Sequence, residues 1–380
     1  MVTGAIFESE FPARGEFIQL NHAGVSPWPQ RTAVAVARFA EENHLQGAAG
    51  YERWLKTEAE LRQQMCSLIG APSPDDIAIL KNTSEGLSMI AYGLPWKQGD
   101  NIVTSDQEFP SNRIVWQSLK AQGVELREAA LDRAESPEDA LFALVDERTR
   151  LLTVSSVQYA TGLRMDLQRI GEFCRRHAIL FCVDAIQSLG VLEFGLEGNG
   201  ADFVVADGHK WMMGPEGVAL FYVRPALRDR LSLRQFGWHM IERAGDYDRK
   251  DWTVAPTARR FECGSPNMLG IHGLHASLSL LLEIGMPVVT ELALENSARL
   301  IDAVDGNPEH LELLSNRDPE RRSGIVTFRH RRIASPRLYQ KLRDQGVVCA
   351  LRGGGIRYSP HFHTRRDALE KALRLAIEAA

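Results

Sequence analysis

The sequence predicts an α/β fold, a mostly parallel sheet covered by helices on both faces and joined to a smaller α+β portion. Three observations carry this reading. Short runs of branched and aromatic residues recur along the middle of the chain, each followed by an amphipathic helical pattern, as expected of strands buried on both faces. The 380 residues are too many for one compact core and suit two subdomains. Beyond about Asp251 the alternation stops and a long apolar helix pattern takes over.

In chain order, the run DIAIL at 76–80 precedes the helix pattern SEGLSMIAYGL, and NIVTS at 101–105 precedes SNRIVWQSLKAQG. RLLTVSSV at 150–157 precedes DLQRIGEFCRRHA. ILFCVDA at 179–185, DFVVAD at 202–207 and GVALFYV at 217–223 follow as further strands. The helix pattern GIHGLHASLSLLLEIG then leads to SGIVTFRH at 323–330 and GIRYSP at 355–360, strands of the smaller portion. A last helix is marked by Leu369, Leu373 and Ile377 at four-residue spacing, with Asp367 in its first turn, where the helix dipole favours a carboxylate. The expected organisation is an N-terminal arm at 1–20, a large domain at 21–255 and a small C-terminal domain at 256–380.

A composition of 44% hydrophobic and 24% charged residues is that of an ordinary globular protein, and a net charge of -5 argues against general nucleic-acid or anionic-membrane binding. No segment approaches the roughly 20 apolar residues of a membrane span, and the N-terminus lacks the basic start and apolar run of a secretory signal. Cys66, Cys174, Cys182, Cys263 and Cys349 are odd in number, widely spaced and without a CxxC pair, so reduced thiols in a cytoplasmic protein are expected.

In open parallel sheets ligands sit beyond the carboxyl ends of the strands. After DIAILKN, Thr83 and Ser84 open a helix, either as its N-cap or as hydroxyls that, with free N–H groups, cup a phosphate. After ILFCV comes Asp184, with Gln187 close behind; the acid either caps the next helix or faces a cation in the cleft. After FVVAD come His209 and Lys210. Lys210 lies 26 residues beyond Asp184, one helix-plus-strand unit, which suggests neighbouring strands. Lysine, acid and phosphate cup together match the needs of pyridoxal 5'-phosphate: an amine for its aldehyde, a carboxylate to keep the ring nitrogen protonated, and a helix N-terminus for its phosphate. Burial would also depress the lysine pKa and help it act as a base.

The ordered set LNHAGVSPWP at 20–29, TSEG, VDAIQ, DGHKW and IRYSPHFHT at 356–364 resembles the aminotransferase class V family of pyridoxal-phosphate enzymes. That family includes cysteine desulfurases, cysteine C–S lyases, kynureninase and isopenicillin N epimerase, and the likeness covers most of the chain. It implies fold type I and a homodimer with active sites at the interface, acting on a small amino acid. By the same likeness Lys210 would form the Schiff base with the cofactor and carry the substrate α-proton. Asp184 would pair with the ring nitrogen and Gln187 with the ring hydroxyl. Thr83, Ser84 and His209 would contact the phosphate, and Phe109 would stack on the ring, where many relatives carry a histidine. Ser265 would reach the phosphate of the neighbouring subunit. Arg357 would grip the substrate α-carboxylate, with Arg352 and either Gln158 or Tyr159 as further substrate-side candidates and Asn21 and His22 nearby.

Two departures from the family pattern bear on the reaction. Asp207 stands where desulfurases carry a small hydroxyl on the phosphate, and is expected to turn away, onto a backbone N–H or an arginine. Between Arg352 and Arg357 lie only Gly353, Gly354, Gly355 and Ile356, so no room exists for the loop on which desulfurases carry their persulfide cysteine. The expected activity is β-elimination from a cysteine-like amino acid, a C–S lyase reaction. Transamination and α-epimerisation share its first steps and stand as alternatives. A persulfide-forming desulfurase ranks below them, and a non-catalytic binding protein last, because Lys210 and Asp184 are both present. His361 and His363 are read as cleft-lining or surface residues, His272 and His275 as packing, and no metal is expected; Trp211 and Trp238 are pocket candidates.

Overall fold

Residues 2–12 and 17–379 are described by a computed structural model, so residues 1 and 13–16 of the expected arm lie outside the described residues. Strand β1 (Ile18–Gln19) ends the arm. The central sheet is built from β2 (Ile77–Leu80), β3 (Asn101–Ser105), β4 (Glu125–Ala129), β5 (Thr149–Ser155), β6 (Leu180–Asp184), β7 (Phe203–Asp207) and β8 (Ala219–Val223), in the spatial order β2-β8-β7-β6-β5-β3-β4. The five strands from β4 across to β7 are parallel, and β8 runs antiparallel to both of its neighbours. β3, β7 and β8 are buried at every position, which is why they read as continuous apolar or small-residue runs. The sequence reading has no strand at β4. This edge strand, ELREA, is partly exposed, so its residues carry charge instead of an apolar run.

The second layer is an antiparallel sheet of β9 (Leu311–Leu313), β10 (Val326–His330), β12 (Ala350–Arg352) and β13 (Gly355–Tyr358), in the order β12-β13-β10-β9. β11 (Val347–Val348) pairs instead with β1, in parallel. Ile18 and Leu20 therefore share a hydrophobic cluster with Val326, Phe328, Val347 and Leu373, and the end of the arm is built into the smaller layer.

The helix Met268–Ile284, assigned on sequence to the small domain, packs against the helices Gln30–Gln46 and Tyr51–Ile69. Its Leu274 and Leu278 share a cluster with Val183 and Val204 of the central sheet, so by packing it belongs to the larger layer. The following helix, Met286–Asp305, is bent from it by 87° at Gly285 and links the two layers. Its Val289 lies in the large cluster, and its Leu300, Ile301 and Val304 lie in the small one. No single helix among the described residues is long and apolar enough to cross a membrane.

Leu278 is fully buried at this helix–sheet contact. Leu278→Ala should cost about 2–5 kcal/mol in chemical denaturation. A loss under about 1 kcal/mol would show that the helix is not part of that core.

Candidate active site

Parallel pairing puts the carboxyl ends of β3, β5, β6 and β7 on one edge of the sheet. Ser155 at the end of β5 lies opposite Asp184 at the end of β6, and Asp184 lies opposite Val205 of β7. Lys210 follows β7 in a loop closed on itself. Met213 donates its N–H to the Lys210 carbonyl (2.9 Å), and Gly214 donates to that of Gly208 (2.8 Å). Met213 is held in the left-handed region at φ 56°, a strained posture for a side chain of that size. Ser277 Oγ secures it by donating to its carbonyl (2.8 Å). From the other side Gly190, at φ 97°, admits a close approach, since a Cβ there would stand 2.4 Å from the Trp211 carbonyl oxygen.

Asp184 and Lys210 are both buried, and burial acts on them in opposite senses. Desolvation pushes the Asp184 carboxyl up to about 7; Glu108 and Asp207 add to the rise, while Lys210 and a hydrogen bond from the Ile186 N–H (3.1 Å) oppose it. Desolvation draws the Lys210 ammonium down to about 8 against the pull of Asp184, with the cations Arg357 and Arg352 adding to the fall. An amine so placed can act as a base near neutral pH.

The Phe109 ring centroid lies 5.4 Å from Lys210 Nζ, and Tyr159 meets that ring edge-on at 5.2 Å. Arg357 Nη1 donates to the Tyr159 carbonyl (2.7 Å) and its Nη2 to Asn21 Oδ1 (3.1 Å). Arg357 Nε is buried without a partner, and no carboxylate of the described residues pairs with this guanidinium. Burial, reinforced by Arg352, lowers Arg357 to about 10. A buried guanidinium without its counter-anion is costly, and a carboxylate meets its fork in two parallel bonds. Ala350 pairs with Arg357 across β12 and β13, so Arg352 shares the same hairpin face nearer the turn. Arg352 is exposed and folds back onto the Leu351 carbonyl (2.8 Å).

At the helix Thr83–Gly93 the N-cap is Asn82, whose Oδ1 accepts from the Glu85 N–H (2.9 Å); the capping alternative for Thr83 and Ser84 is thereby corrected. Thr83 Oγ1 is left buried without a partner, and Ser84 Oγ donates to Ser111 Oγ (2.9 Å). A Cβ on Gly86 would stand 2.8 Å from Val205 Cγ1, so this helix start lies tight against β7, the strand that leads to Lys210. An orphaned hydroxyl at such a helix start fits the phosphate of pyridoxal phosphate.

His209 Nδ1 stands 3.1 Å from Asp207 Oδ1. Asp207 thus faces the imidazole two residues on, not the backbone N–H or arginine expected of it. Gln187 is anchored at both ends, its Oε1 accepting from Trp211 Nε1 (2.8 Å) and its Nε2 donating to the Ala23 carbonyl (3.2 Å). Trp211 is fully buried in packing, and Trp238 is half-buried against Tyr247. Gln158 is buried and donates its amide to Glu108 (2.9 Å), an acid that the sequence reading passed over because nothing in QEFPSN marks it as interior. Ser265 is exposed and lines a groove with Lys81, Glu85 and Gly217; no hydrogen bond joins it to the Lys210 group among the described residues.

His361 and His363 lie beyond β13 with their ring centroids 5.4 and 5.1 Å from His22, a grouping that no sequence spacing announces. Burial lowers His22 to about 4 and holds the other two well below the ordinary histidine range. His22 and His361 are buried beside the Lys210 loop, with His361 Nε2 on the Trp211 carbonyl (2.9 Å), and the half-buried His363 lines a groove with Phe11 and Trp28, as the cleft-lining reading expected of it. Glu58, His239 and Glu262 bring possible ligand atoms within 4.8 Å of one another. The Arg62 guanidinium already bonds both carboxylates there, at 2.5–3.2 Å, so the cation of that group is the protein's own.

A family model described as Aminotransferase class-V matches residues 20–379. A probable cysteine desulfurase of Methanothermobacter thermautotrophicus is 27% identical over 95% of this chain and 94% of its own. An uncharacterized aminotransferase of Bacillus subtilis is 28% identical over 96% of this chain and 94% of its own. Among solved structures, the cystine C–S lyase C-DES in complex with its reaction product cysteine persulfide is 25% identical, with a TM-score of 0.89 over 97% of this chain and 99% of that one. The apo cysteine desulfurase of Thermococcus onnurineus NA1 is 24% identical, with a TM-score of 0.87 over 98% and 97%. The architecture is that of fold type I.

The Asp184 shift has a consequence for stability. An acid whose folded pKa is raised costs stability once the unfolded chain ionises, near ~4. The cost grows until the folded group ionises at about 7, and is constant above that. Cofactor-free Asp184→Asn protein should therefore melt above the cofactor-free parent at pH 8, with a much smaller gain at pH 4. Equal gains in thermal denaturation at the two pH values would refute a buried charge as the cause.

Proposed function

The chain belongs to the aminotransferase class V family, and on that premise we propose that it cleaves the C–S bond of a cysteine-like amino acid by β-elimination. It is a pyridoxal-phosphate-dependent enzyme. The cofactor, when bound, supplies an electron sink beside the substrate α-carbon. The chain's own residues do the rest. Arg357, buried and lacking an anion, binds the α-carboxylate and sets the amino acid against Lys210. Lys210, whose ammonium is drawn down to about 8 and so gives up its proton far more readily than an ordinary lysine, takes the α-proton. Burial raises the Asp184 carboxyl to about 7, so its charged form gains from a cation beside it, which suits it to hold a protonated ring nitrogen. Thr83, Ser84 and His209 would hold the phosphate, Gln187 would reach the ring hydroxyl, and Phe109 would cover the ring.

The observation that carries elimination over persulfide transfer is the β12–β13 hairpin. Gly353 and Gly354, both at positive φ, turn it tightly, and no thiol stands at its tip. Cys349 is buried, with its thiol pushed up to about 12, and the half-buried Cys263 donates to Gln235 Oε1 (3.3 Å). Persulfide transfer needs an accessible thiolate. The names of several relatives favour a second reading, cysteine desulfurase, and the assay below separates the two. A homodimer is part of the proposal. Phe236 (63% exposed), Tyr247 (73%) and Trp252 (55%) stand in the segment leading to Ser265, apolar surface that a second copy would cover.

With L-cystine and L-cysteine as substrates, the holoenzyme should release keto acid and ammonia in equal amounts, with sulfur leaving as persulfide or sulfide. Keto acid without ammonia, dependent on an acceptor, would mean transamination, and alanine with a protein-bound persulfide would mean desulfuration. Lys210→Ala should abolish turnover and covalent trapping by borohydride; surviving turnover would remove Lys210 from the mechanism. Arg357→Lys should raise KM tenfold or more with cofactor affinity unchanged, because the planar fork is lost. An unchanged KM would take Arg357 out of the site.

A further inference from the structure

The loop that presents Phe109 carries a buried carboxylate next to it. Glu108 is 5% exposed, and no Lys, Arg or His of the described residues pairs with it. Its Oε1 accepts from Ser105 Oγ (2.9 Å), the Ser155 N–H (3.0 Å) and Gln158 Nε2 (2.9 Å). Its Oε2 accepts from Asn112 Nδ2 (2.8 Å), Ser155 Oγ (2.5 Å) and the same N–H (3.0 Å). One side chain thereby ties the end of β3, the helix Ser111–Gln117, the end of β5 and the loop beyond it.

An ionised carboxylate only accepts, so it dictates which end of each amide faces it. Asn112 turns its nitrogen to Glu108, and its oxygen is then satisfied by Trp116 Nε1 (2.9 Å) and Thr153 Oγ1 (2.8 Å). Gln158 likewise turns its nitrogen to Glu108, but its oxygen is buried with no partner. This oxygen is the loose end of an otherwise closed network, and an unmet buried acceptor is costly. Gln158 adjoins Tyr159, whose carbonyl holds Arg357 and whose ring meets Phe109, so the loose end lies among the residues of the site.

We propose that Glu108 is a positioning residue of the active site, holding the Gln158 amide with its oxygen directed to a hydrogen-bond donor on a bound ligand. The donor is an O–H or N–H group, either the ring hydroxyl of the cofactor or the amine of the incoming amino acid. The proposal rests on the cofactor assignment and not on C–S cleavage.

Glu108→Gln offers Gln158 a competing donor and frees it to turn. Two dissociation constants are read: that of pyridoxal 5'-phosphate for the cofactor-free protein, and that of L-alanine for the holoenzyme, from its visible spectrum, which requires no elimination. Glu108→Gln should weaken one of them about tenfold, the first if the ring hydroxyl is the donor and the second if the amine is. Gln158→Leu should weaken the same constant to the same degree, and the double variant should lose no more than either single one. Losses that multiply in the double variant, or two unchanged constants, would overturn the proposal. Should thermal denaturation show that Glu108→Gln does not fold, Gln158→Glu decides, because it places an acceptor where Glu108 demands a donor. It should lose the same tenfold, and parental affinity for both ligands would refute the role.

Discussion

Parallel pairing in the central sheet brings five strand ends to one edge, and it is there that Asp184, Lys210 and Glu108 are taken out of water without being paired to one another. Asp184 and Lys210 do not form a direct ion pair among the contacts of the chain; each is shifted chiefly by desolvation. Arg357 is held by a carbonyl and an amide oxygen rather than by a carboxylate. Glu108 is held by neutral donors only. Such groups weaken the folded state, and the surrounding cores must offset them. Their chemical complement is a ligand carrying a carboxylate, an aldehyde and a protonated ring nitrogen, groups that an amino acid and pyridoxal phosphate bring between them.

The site also depends on a joint between layers. Lys210, Asp184 and Phe109 stand on the central sheet, whereas Arg357 and Arg352 stand on the β12–β13 hairpin of the small sheet. Residues 20–23 stitch the two together. Leu20 and His22 exchange backbone bonds with Ser359, Asn21 accepts from Arg357, and the Ala23 carbonyl accepts from Gln187. The spacing between the amine and the guanidinium is thus set by packing across this seam, and the helix Met286–Asp305 crosses it with one end in each core.

Much of this was legible in the residues. The buried strands announce themselves because both faces are covered, and Lys210 and Asp184 stand out because a charged residue abruptly closes an apolar run. The departures have physical causes as well. β4 is an edge strand and carries no apolar run. Asn82 takes the cap from Thr83 and Ser84 because the helix begins one residue earlier than the hydroxyls suggest, and this frees Thr83 Oγ1 for a ligand. Asp207 meets His209 because the loop after β7 turns back on itself. The helix Met268–Ile284 is apolar on nearly every side, and such a helix gives no sign of which layer it will join.

By itself the amino-acid order determined the alternation of strands and helices, the chemical types at the strand ends and, through them, the cofactor. These are local properties, written in periodicity and in the residue that follows each run. Only the tertiary structure decided that Glu108 is interior, that His22 meets His361 and His363 from the far end of the chain, and that Arg357 is buried with no anion of its own. Burial and partnership depend on which distant segments arrive at the same place, and solvent exclusion, which turns an ordinary acid or base into a reactive one, exists only once they have arrived.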